Sequence, residues 1–133
     1  LEVLTANRYG YQHFNASNDD SKGDDRSDDK GPEPEGLAVG VVAGKHYLFV
    51  GLERIGGVAV YNISNPQAPL FVQYINSRDF TVDQQSSAAG DLGPEGLKFV
   101  PAAPRPIGSA MLVVGNEVSG TTSFYSVEEI GLD

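Results

Sequence analysis

The stretch Pro34-Glu35-Gly36-Leu37 occurs again as Pro94-Glu95-Gly96-Leu97, 60 residues further along the chain. Each copy opens an apolar run that ends in a second glutamate, in Val50-Gly51-Leu52-Glu53 and in Val114-Gly115-Asn116-Glu117. Several short strands in each repeated unit are typical of propeller blades and related all-β arrays. The repeat therefore predicts an all-β array. Because core packing does not require carboxylates, the repeated glutamates also indicate a site.

The apolar runs have the length of strands and are separated by turn residues. The first unit predicts four strands and the second predicts three. These strands are residues 37–42, 46–52, 58–63 and 70–75, then residues 97–100, 111–115 and 121–127. No segment has a sustained 3.6-residue period, so we expect little helix. The predicted fold class is all-β, with two blades of a β-propeller.

The repeat divides the chain into three parts. Residues 1–33 hold an initial strand at 1–5 and an acidic loop that we expect to become ordered only on binding. Residues 34–93 are a first blade with a linker, and residues 94–133 are a second, incomplete blade. Because a propeller closes with about four to eight blades, we expect a fragment of a larger propeller, packed on the remaining blades of the same protein or another chain. A small β-sandwich, complete in itself, is the alternative.

The charge of the chain limits its partners. Among 133 residues, 18 are acidic and 9 are basic, which gives a formal net charge of −9. This charge argues against nucleic acids and anionic membrane surfaces and favours cations. No apolar stretch approaches the roughly 20 residues that cross a bilayer, so we expect no membrane insertion. The chain contains no cysteine, which excludes disulfides and thiol chemistry.

The repeated glutamates predict a metal site. In a blade, the start of the first strand and the end of the second share one face, so the four glutamates are expected to gather there. Carboxylates at this density repel one another unless a hard divalent cation binds them, and calcium is the expected ion. The candidate metal ligands are Glu35, Glu53, Glu95 and Glu117, with Glu33 and Asp91 as flanking additions.

Two alternatives to this site remain open at the level of sequence. Pro-Glu-Gly is also plain turn chemistry, in which the glutamate is only solvated. The acidic loop, with three pairs of aspartates between Asp19 and Asp29, is a second candidate cation site, although it lacks the ligand order of an EF-hand. A solvated acidic loop is the simpler interpretation of that segment.

Two arginines and two asparagines complete the set of candidate residues. Arg54 and Arg78 are the basic residues best placed to contact an anionic group such as phosphate, although surface ion pairs are the commoner role. Asn15-Ala16-Ser17 and Asn62-Ile63-Ser64 match the acceptor pattern for N-linked glycans. This pattern is meaningful only in a secreted eukaryotic protein.

Longer motifs resemble the choice-of-anchor I family of extracellular β-propellers. The resemblance covers nearly the whole chain from about Asp28 onward. It is carried by residues 27–36, 51–57, 61–66, 74–80, 90–97 and 116–122. It implies the C-terminal segment of a secreted, surface-anchored or periplasmic propeller. The family is similar to the esterase-like phytases, and its members are often labelled alkaline phosphatases or mesenchyme-specific cell-surface glycoproteins.

Two functions follow as expectations. The first is a calcium-dependent phosphoester hydrolase, similar to an alkaline phosphatase or phytase, in which the glutamates hold a metal that binds phosphate and activates water. Arg54 and Arg78 would then act in catalysis by neutralising charge on the phosphoryl oxygens. The second is a non-catalytic extracellular propeller that calcium stabilises and that binds a protein or glycan partner.

Overall fold

The computed structural model describes residues 1–103 and 108–131, and most of these residues form two antiparallel sheets. The first sheet has the order β1-β2-β3-β4 and the second has the order β5-β6-β7. The strands are β1 (Pro34–Val42), β2 (Lys45–Leu52), β3 (Val58–Asn62), β4 (Leu70–Ile75), β5 (Pro94–Val100), β6 (Ala110–Asn116) and β7 (Thr121–Val127). Each of the seven strands predicted in the two units is present. The predicted second unit also contains residues 104–107 and 132–133, which lie outside the described residues.

The beginning of the chain is a helix, α1 (Glu2–His13), so the predicted strand at residues 1–5 is wrong. A short apolar run fits a strand and a buried helix equally well. Leu1, Leu4 and Tyr9 follow a helical spacing and pack on the first sheet. The chain is therefore mostly β rather than all-β, with α1 and a short 3-10 turn at Ser87–Ala89.

The first sheet lies between two apolar cores. One core contains Val50 and Leu52 of β2 and is covered by α1 and the loop that follows it. The other contains Phe49 of β2 and joins the first sheet to Phe99 and Leu112 of the second. Because successive side chains of a strand point to opposite faces, β2 contributes to both cores.

The acidic loop, residues 14–33, has no regular strand or helix but is ordered by its own contacts. The Asp24 amide donates to the Phe14 carbonyl at 2.6 Å, and the Arg26 amide donates to the Asn15 carbonyl at 3.0 Å. Asn15 and Ala16 are fully buried. These contacts pack the segment on the first sheet, while the expected role of a bound ligand in its order stays a prediction.

The two sheets approach most closely through their first strands, β1 and β5. Gly36 permits this approach, since a Cβ atom there would lie 2.4 Å from the Glu95 carbonyl oxygen. Phe49 and Phe99 stack between the sheets with ring centroids 5.7 Å apart. Within the described residues the sheets form no closed barrel, and their arrangement as propeller blades stays a prediction. No helix in this part of the chain is long and apolar enough to cross a membrane.

Candidate functional site

The two repeated turns have the same backbone geometry. The pairing of β1 with β2 has a bulge between Pro34 and Leu37, and the pairing of β5 with β6 has one between Pro94 and Gly96. The turn amide of Glu53 donates to the Glu33 carbonyl at 2.9 Å. In the second copy, Glu117 donates to Gly93 at 2.8 Å. Each bulge adds one residue to its strand and locally re-aims the side chains beside it.

The first turn brings three glutamates together. One carboxylate oxygen from each of Glu33, Glu35 and Glu53 lies within 4.8 Å of the others. Glu33 and Glu53 are buried, whereas Glu35 is exposed. Calcium binds oxygen ligands at about 2.3–2.6 Å, so oxygens on one ion are separated by at most about twice that distance. The spacing of these three carboxylates fits a single hard cation.

Glu33 is the most strongly paired of these acids. Its Oε1 accepts from Lys30 Nζ at 2.9 Å. Its Oε2 accepts from Arg54 Nε at 2.9 Å and from Arg26 Nη2 at 3.2 Å. Burial alone would raise the pKa of Glu33, but the hydrogen bonds from Lys30 and Arg54 outweigh it and lower the pKa. The Glu33 carboxylate is therefore held ionised by cations that belong to the chain itself.

Glu53 lies in a less compensated position. Burial raises its pKa, the adjacent Glu35 carboxyl raises it further, and the charge of Arg54 acts in the opposite direction. Arg54 Nη2 lies 3.1 Å from Glu53 Oε1, so this arginine contacts both buried glutamates of the turn. Arg54 thus contacts two of the three carboxylates, and the pair Glu35–Glu53 retains unbalanced negative charge.

Glu95 and Glu117 form the corresponding pair in the second turn. The negative charge of Glu117 raises the pKa of Glu95, with smaller contributions from their hydrogen bond, from burial and from Glu35. Both side chains are exposed. The influence of Glu35 shows that the two turns act on each other electrostatically. Among the described residues, three carboxylates are closely spaced only in the first turn. The expectation that the four repeated glutamates gather at one site stays a prediction.

Asp91 belongs to a different group of contacts. Its Oδ1 accepts from Thr121 Oγ1 at 2.7 Å, and its Oδ2 accepts from Ser123 Oγ at 2.6 Å and Ser77 Oγ at 3.2 Å. Burial would raise the pKa of Asp91, but these three hydroxyl groups lower it. Both oxygens of this predicted metal ligand therefore accept hydrogen bonds, which join the segment before β5 to strand β7.

Arg78 lies in the interior and is 7% exposed. Its guanidinium lies 4.4 Å from the centroid of the Phe80 ring. Burial lowers its pKa to about 10, so the group stays charged at neutral pH. Its hydrogen bonds go to the carbonyls of Ser17, Asp20, Arg54 and Ile55 and to Oε1 of Gln84, at distances from 2.6 to 3.3 Å. The side chain ties the acidic loop to the first turn and presents no free donor to a phosphate.

The aspartates of the acidic loop are dispersed. Asp25 pairs with Lys22, Asp29 pairs with Arg26, and Asp24 accepts a hydrogen bond from Ser27. Within residues 1–103 and 108–131, this loop gathers no three carboxylates as closely as the first turn does. The loop instead supplies Arg26 and Lys30 to Glu33.

Those two cations were not identified from the sequence, although a signal for Glu33 was present. Glu33 occupies the position of Gly93 in the repeat and has a φ of 53°, against 73° for Gly93. A non-glycine residue in the left-handed region is uncommon and is found at functional or strongly held positions. The sequence signal was the glutamate in place of glycine at this position of the repeat, whereas the positive φ is visible only in the structure.

Comparison with known proteins identifies the class of domain. Residues 1–66 match the choice-of-anchor I domain, so the first half of the chain belongs to that family. This match confirms the resemblance seen in the sequence motifs. It also covers α1 and the acidic loop, while the second Pro-Glu-Gly-Leu copy lies outside the matched range.

Two relatives match the chain over stretches of different length. Over 116 residues it is 34% identical to Gigasin-3a from Magallana gigas, a match that covers 83% of this chain and 40% of that protein. Over 41 residues it is 42% identical to Mesenchyme-specific cell surface glycoprotein from Strongylocentrotus purpuratus, covering 31% of this chain and 5% of that protein. Neither name refers to phosphatase activity. No solved structure matches the chain significantly.

Proposed function

We propose that this chain is part of an extracellular or cell-surface domain in which the glutamates of the two repeated turns bind a divalent cation. Calcium is the expected ion, and its role is to stabilise the domain rather than to catalyse a reaction. The observation that carries the proposal is the spacing of Glu33, Glu35 and Glu53, whose carboxylate oxygens lie within 4.8 Å of one another. The choice-of-anchor I match and the surface glycoprotein among the relatives support the location.

The donor set fits a hard cation. Glu35 and Glu53 carry charge that Arg54 offsets only in part, and Glu95 with Glu117 adds two exposed carboxylates beside Glu35. All these ligands are oxygens, which calcium prefers. Glu33 is already neutralised by Lys30, Arg26 and Arg54. We therefore propose Glu35 and Glu53 as the principal ligands and Glu33 as a third ligand that also holds the surrounding cations, with Glu95 and Glu117 as additional ligands from the second turn.

A calcium-dependent melting experiment tests this proposal. An ion that binds only the folded state stabilises it by about 2.7 kcal/mol at 100-fold above its Kd, so we expect calcium to raise the Tm by several degrees above the Tm in chelator. Glu35→Gln and Glu95→Gln each remove a ligand and should lose most of this increment. Glu128→Gln is the matched control, because Glu128 is exposed and contacts Ser109 instead. An equal Tm with calcium and with chelator would contradict the proposal.

Phosphoester hydrolysis is a second candidate, and one observation favours it. Arg54 lies at the glutamate cluster, where a cation and a guanidinium together would contact a phosphoryl group. Arg78, the other predicted catalytic residue, is occupied by buried carbonyls. Hydrolysis of a chromogenic phosphate monoester with calcium, compared with Arg54→Lys and with chelator, decides this candidate. If no phosphate monoester is hydrolysed at saturating calcium, the hydrolase candidate fails and only the stabilising role of the cation is left.

The second sheet has an outer face for which we propose a partner, a further copy of the same repeat unit. A Cβ atom added at Gly51 would lie 2.9 Å from the Pro94 carbonyl oxygen, whereas one added at its counterpart Gly115 would lie no closer than 3.7 Å to the Gly96 carbonyl oxygen. Val60 packs in the core between the sheets, whereas its counterpart Phe124 is 66% exposed. In the first sheet, the face that carries these positions is covered by the second sheet. In the second sheet, the matching face points outward and is uncovered among the described residues. A blade of the same protein or of another chain fits there.

Light scattering coupled to gel filtration tests this partner. An uncovered apolar sheet face promotes association, so we expect the isolated chain to self-associate and Phe124→Glu to reduce the association. Tyr11→Glu is the control, since Tyr11 is exposed on α1. A monodisperse monomer of 14.1 kDa would contradict the proposal.

A further inference from the structure

The chain has two acceptor patterns for N-linked glycans, and the structure separates them sharply. Asn15 of the first pattern is fully buried, and its Nδ2 donates to Glu2 Oε1 at 3.1 Å and to Ser27 Oγ at 3.0 Å. A glycan is bulky and hydrophilic and must project into solvent. The folded chain has no space for one at Asn15, and attachment there would remove both of these hydrogen bonds.

Asn62 of the second pattern is placed differently. It is the last residue of β3, is partly exposed, and is followed by the exposed residue Ser64. Its Oδ1 accepts the backbone amide of Ser64 at 2.9 Å. Within the part of the chain that the structure describes, no hydrogen bond leaves Asn62 Nδ2. The nitrogen that would carry the sugar is therefore free, while the side-chain oxygen is held by the residue two positions later.

The neighbouring contacts keep this acceptor in one conformation. The Ile63 amide donates to the His46 carbonyl at 2.8 Å, and the His46 amide donates to Ser64 Oγ at 3.0 Å. The asparagine and the hydroxyl of the pattern are both fixed on the turn that follows β3. Hydrogen bonding of the Ser64 amide to Oδ1 also withdraws electron density from the side-chain amide, which makes Nδ2–H more acidic.

The position of Asn62 is compatible with the proposed function. It lies where β3 ends and where β2 begins, since Asn62 pairs with Tyr47. The glutamates lie at the opposite end of the same strands, where β1 begins and β2 ends. A glycan at Asn62 would therefore leave the glutamate cluster free and would shield the turns at the other end of the first sheet.

From this geometry we infer that Asn62 is an N-glycosylation site and that Asn15 is not. Nδ2 of Asn62 forms a bond to the anomeric carbon of a pyrophosphate-activated oligosaccharide. The bond between that carbon and the pyrophosphate oxygen breaks, and the pyrophosphate leaves with the electron pair. Nδ2 loses one proton to a base of the transferase. The inference rests on the extracellular location that is part of the proposed function.

The test is secretion of the full chain from mammalian cells behind a cleavable signal, with intact mass measured before and after enzymatic removal of N-glycans. We expect the wild-type chain to lose the mass of one oligosaccharide and Asn62 to become aspartate in the peptide map. Asn62→Gln and Ser64→Ala should each abolish the loss. If a variant stays in the cells, the same masses are read on chain recovered from the secretory compartment.

Two matched controls make the result specific. Asn65 lies three residues away and accepts the Gln67 amide in the same way, at 3.2 Å, but has no hydroxyl residue two positions later. Asn65→Gln should keep the full mass loss, and so should Ser17→Ala, which removes the first pattern. A secreted wild-type chain without glycan, or one modified at Asn15, would overturn the inference. The calcium melt of unglycosylated bacterial protein tests the glutamate cluster independently.

Discussion

The two Pro-Glu-Gly-Leu turns share a backbone but differ in charge compensation. In both copies a bulge precedes the apolar run, and an amide of the second glutamate closes the turn on residue 33 or residue 93. The first copy adds Glu33 and surrounds it with Arg26, Lys30 and Arg54. The second copy has Gly93 and leaves Glu95 and Glu117 exposed. The two turns therefore share their backbone geometry but differ in the charged side chains that surround their glutamates.

This difference assigns separate roles to the two turns. In the first turn, the chain itself supplies three cations to Glu33. The second turn has no basic residue in its contacts within the described residues, so no cation of the chain offsets the repulsion between its two carboxylates. If the proposed calcium binding holds, we expect the second turn to respond more strongly to chelation than the first.

The largest expected effect comes from Arg78, which supports only the first turn. Arg78→Met keeps the aliphatic stem near Phe80 but leaves the carbonyls of Ser17 and Arg54 without their buried donor. Breaking such a buried charged network costs about 3 kcal/mol. We expect urea unfolding to show this loss and proteolysis to increase within residues 15–30. Arg8→Met, at an exposed position of α1, should stay within about 0.5 kcal/mol of wild type. A loss that Arg8→Met reproduces would contradict this role.

The next effect concerns Gly93, which the second turn requires. A Cβ atom at Gly93 would lie 2.7 Å from Val118 Cγ2, and φ is 73°. We expect Gly93→Ala to destabilise the chain by about 2 kcal/mol, since it adds a clash to the cost of left-handed backbone. Gly44→Ala is the control, with a φ of 76° and no atom within 4 Å of the added Cβ. Chemical denaturation should show the smaller loss for Gly44→Ala, and equal losses would refute the clash.

A smaller effect distinguishes the two turns by its sign. In chelator, Glu33→Gln removes the negative partner of three cations and should destabilise the chain by about 1–2 kcal/mol. Glu95→Gln removes a like-charge contact with Glu117 and should raise the Tm slightly. Thermal melts monitored by circular dichroism decide this comparison. Changes of the same sign for both variants would show that the turns do not differ in charge compensation.

The smallest effect is the pH dependence in chelator. The pKa of Glu33 is lowered, so its stabilisation is complete above its ordinary pKa and is lost only as pH falls through the lowered value. The pKa of Glu95 is raised, so its repulsion acts at neutral pH and is relieved as pH falls through the raised value. Between pH 7 and about pH 4.5, the Tm advantage of Glu95→Gln over wild type should shrink, while the deficit of Glu33→Gln should persist. An advantage that grows on acidification would contradict the assignment.

The sheets were largely predictable from sequence because their signal is local. Apolar runs and glycine-rich turns predicted all seven strands, and the repeat predicted that Glu35 and Glu53 lie on one turn, where Glu33 joins them. Helix α1 was missed for two reasons. The run Leu1–Thr5 is too short to show a 3.6-residue period, and Gly10 interrupts the helical spacing of apolar residues that extends to Tyr9.

The surroundings of the site were less predictable because they depend on a loop that carries no periodic pattern. Arg26 and Lys30 reach Glu33 only through the particular path of residues 14–33. Arg78 looked like a surface arginine, since its partners are backbone carbonyls from distant segments, which no sequence motif marks. Asp91 was assigned to the metal by its position beside the turn, but its hydroxyl partners come from β7 and from Ser77.

Strand β2 has a consequence for the order in which the molecule opens. Its side chains enter two cores, one beneath α1 and the acidic loop and one against the second sheet. Either layer can detach while the other still covers β2, so amide protons of β2 exchange with solvent only when both layers have opened. The slowest hydrogen exchange in the chain should therefore map to Phe49 and Val50, and its rate should report the free energy of global unfolding.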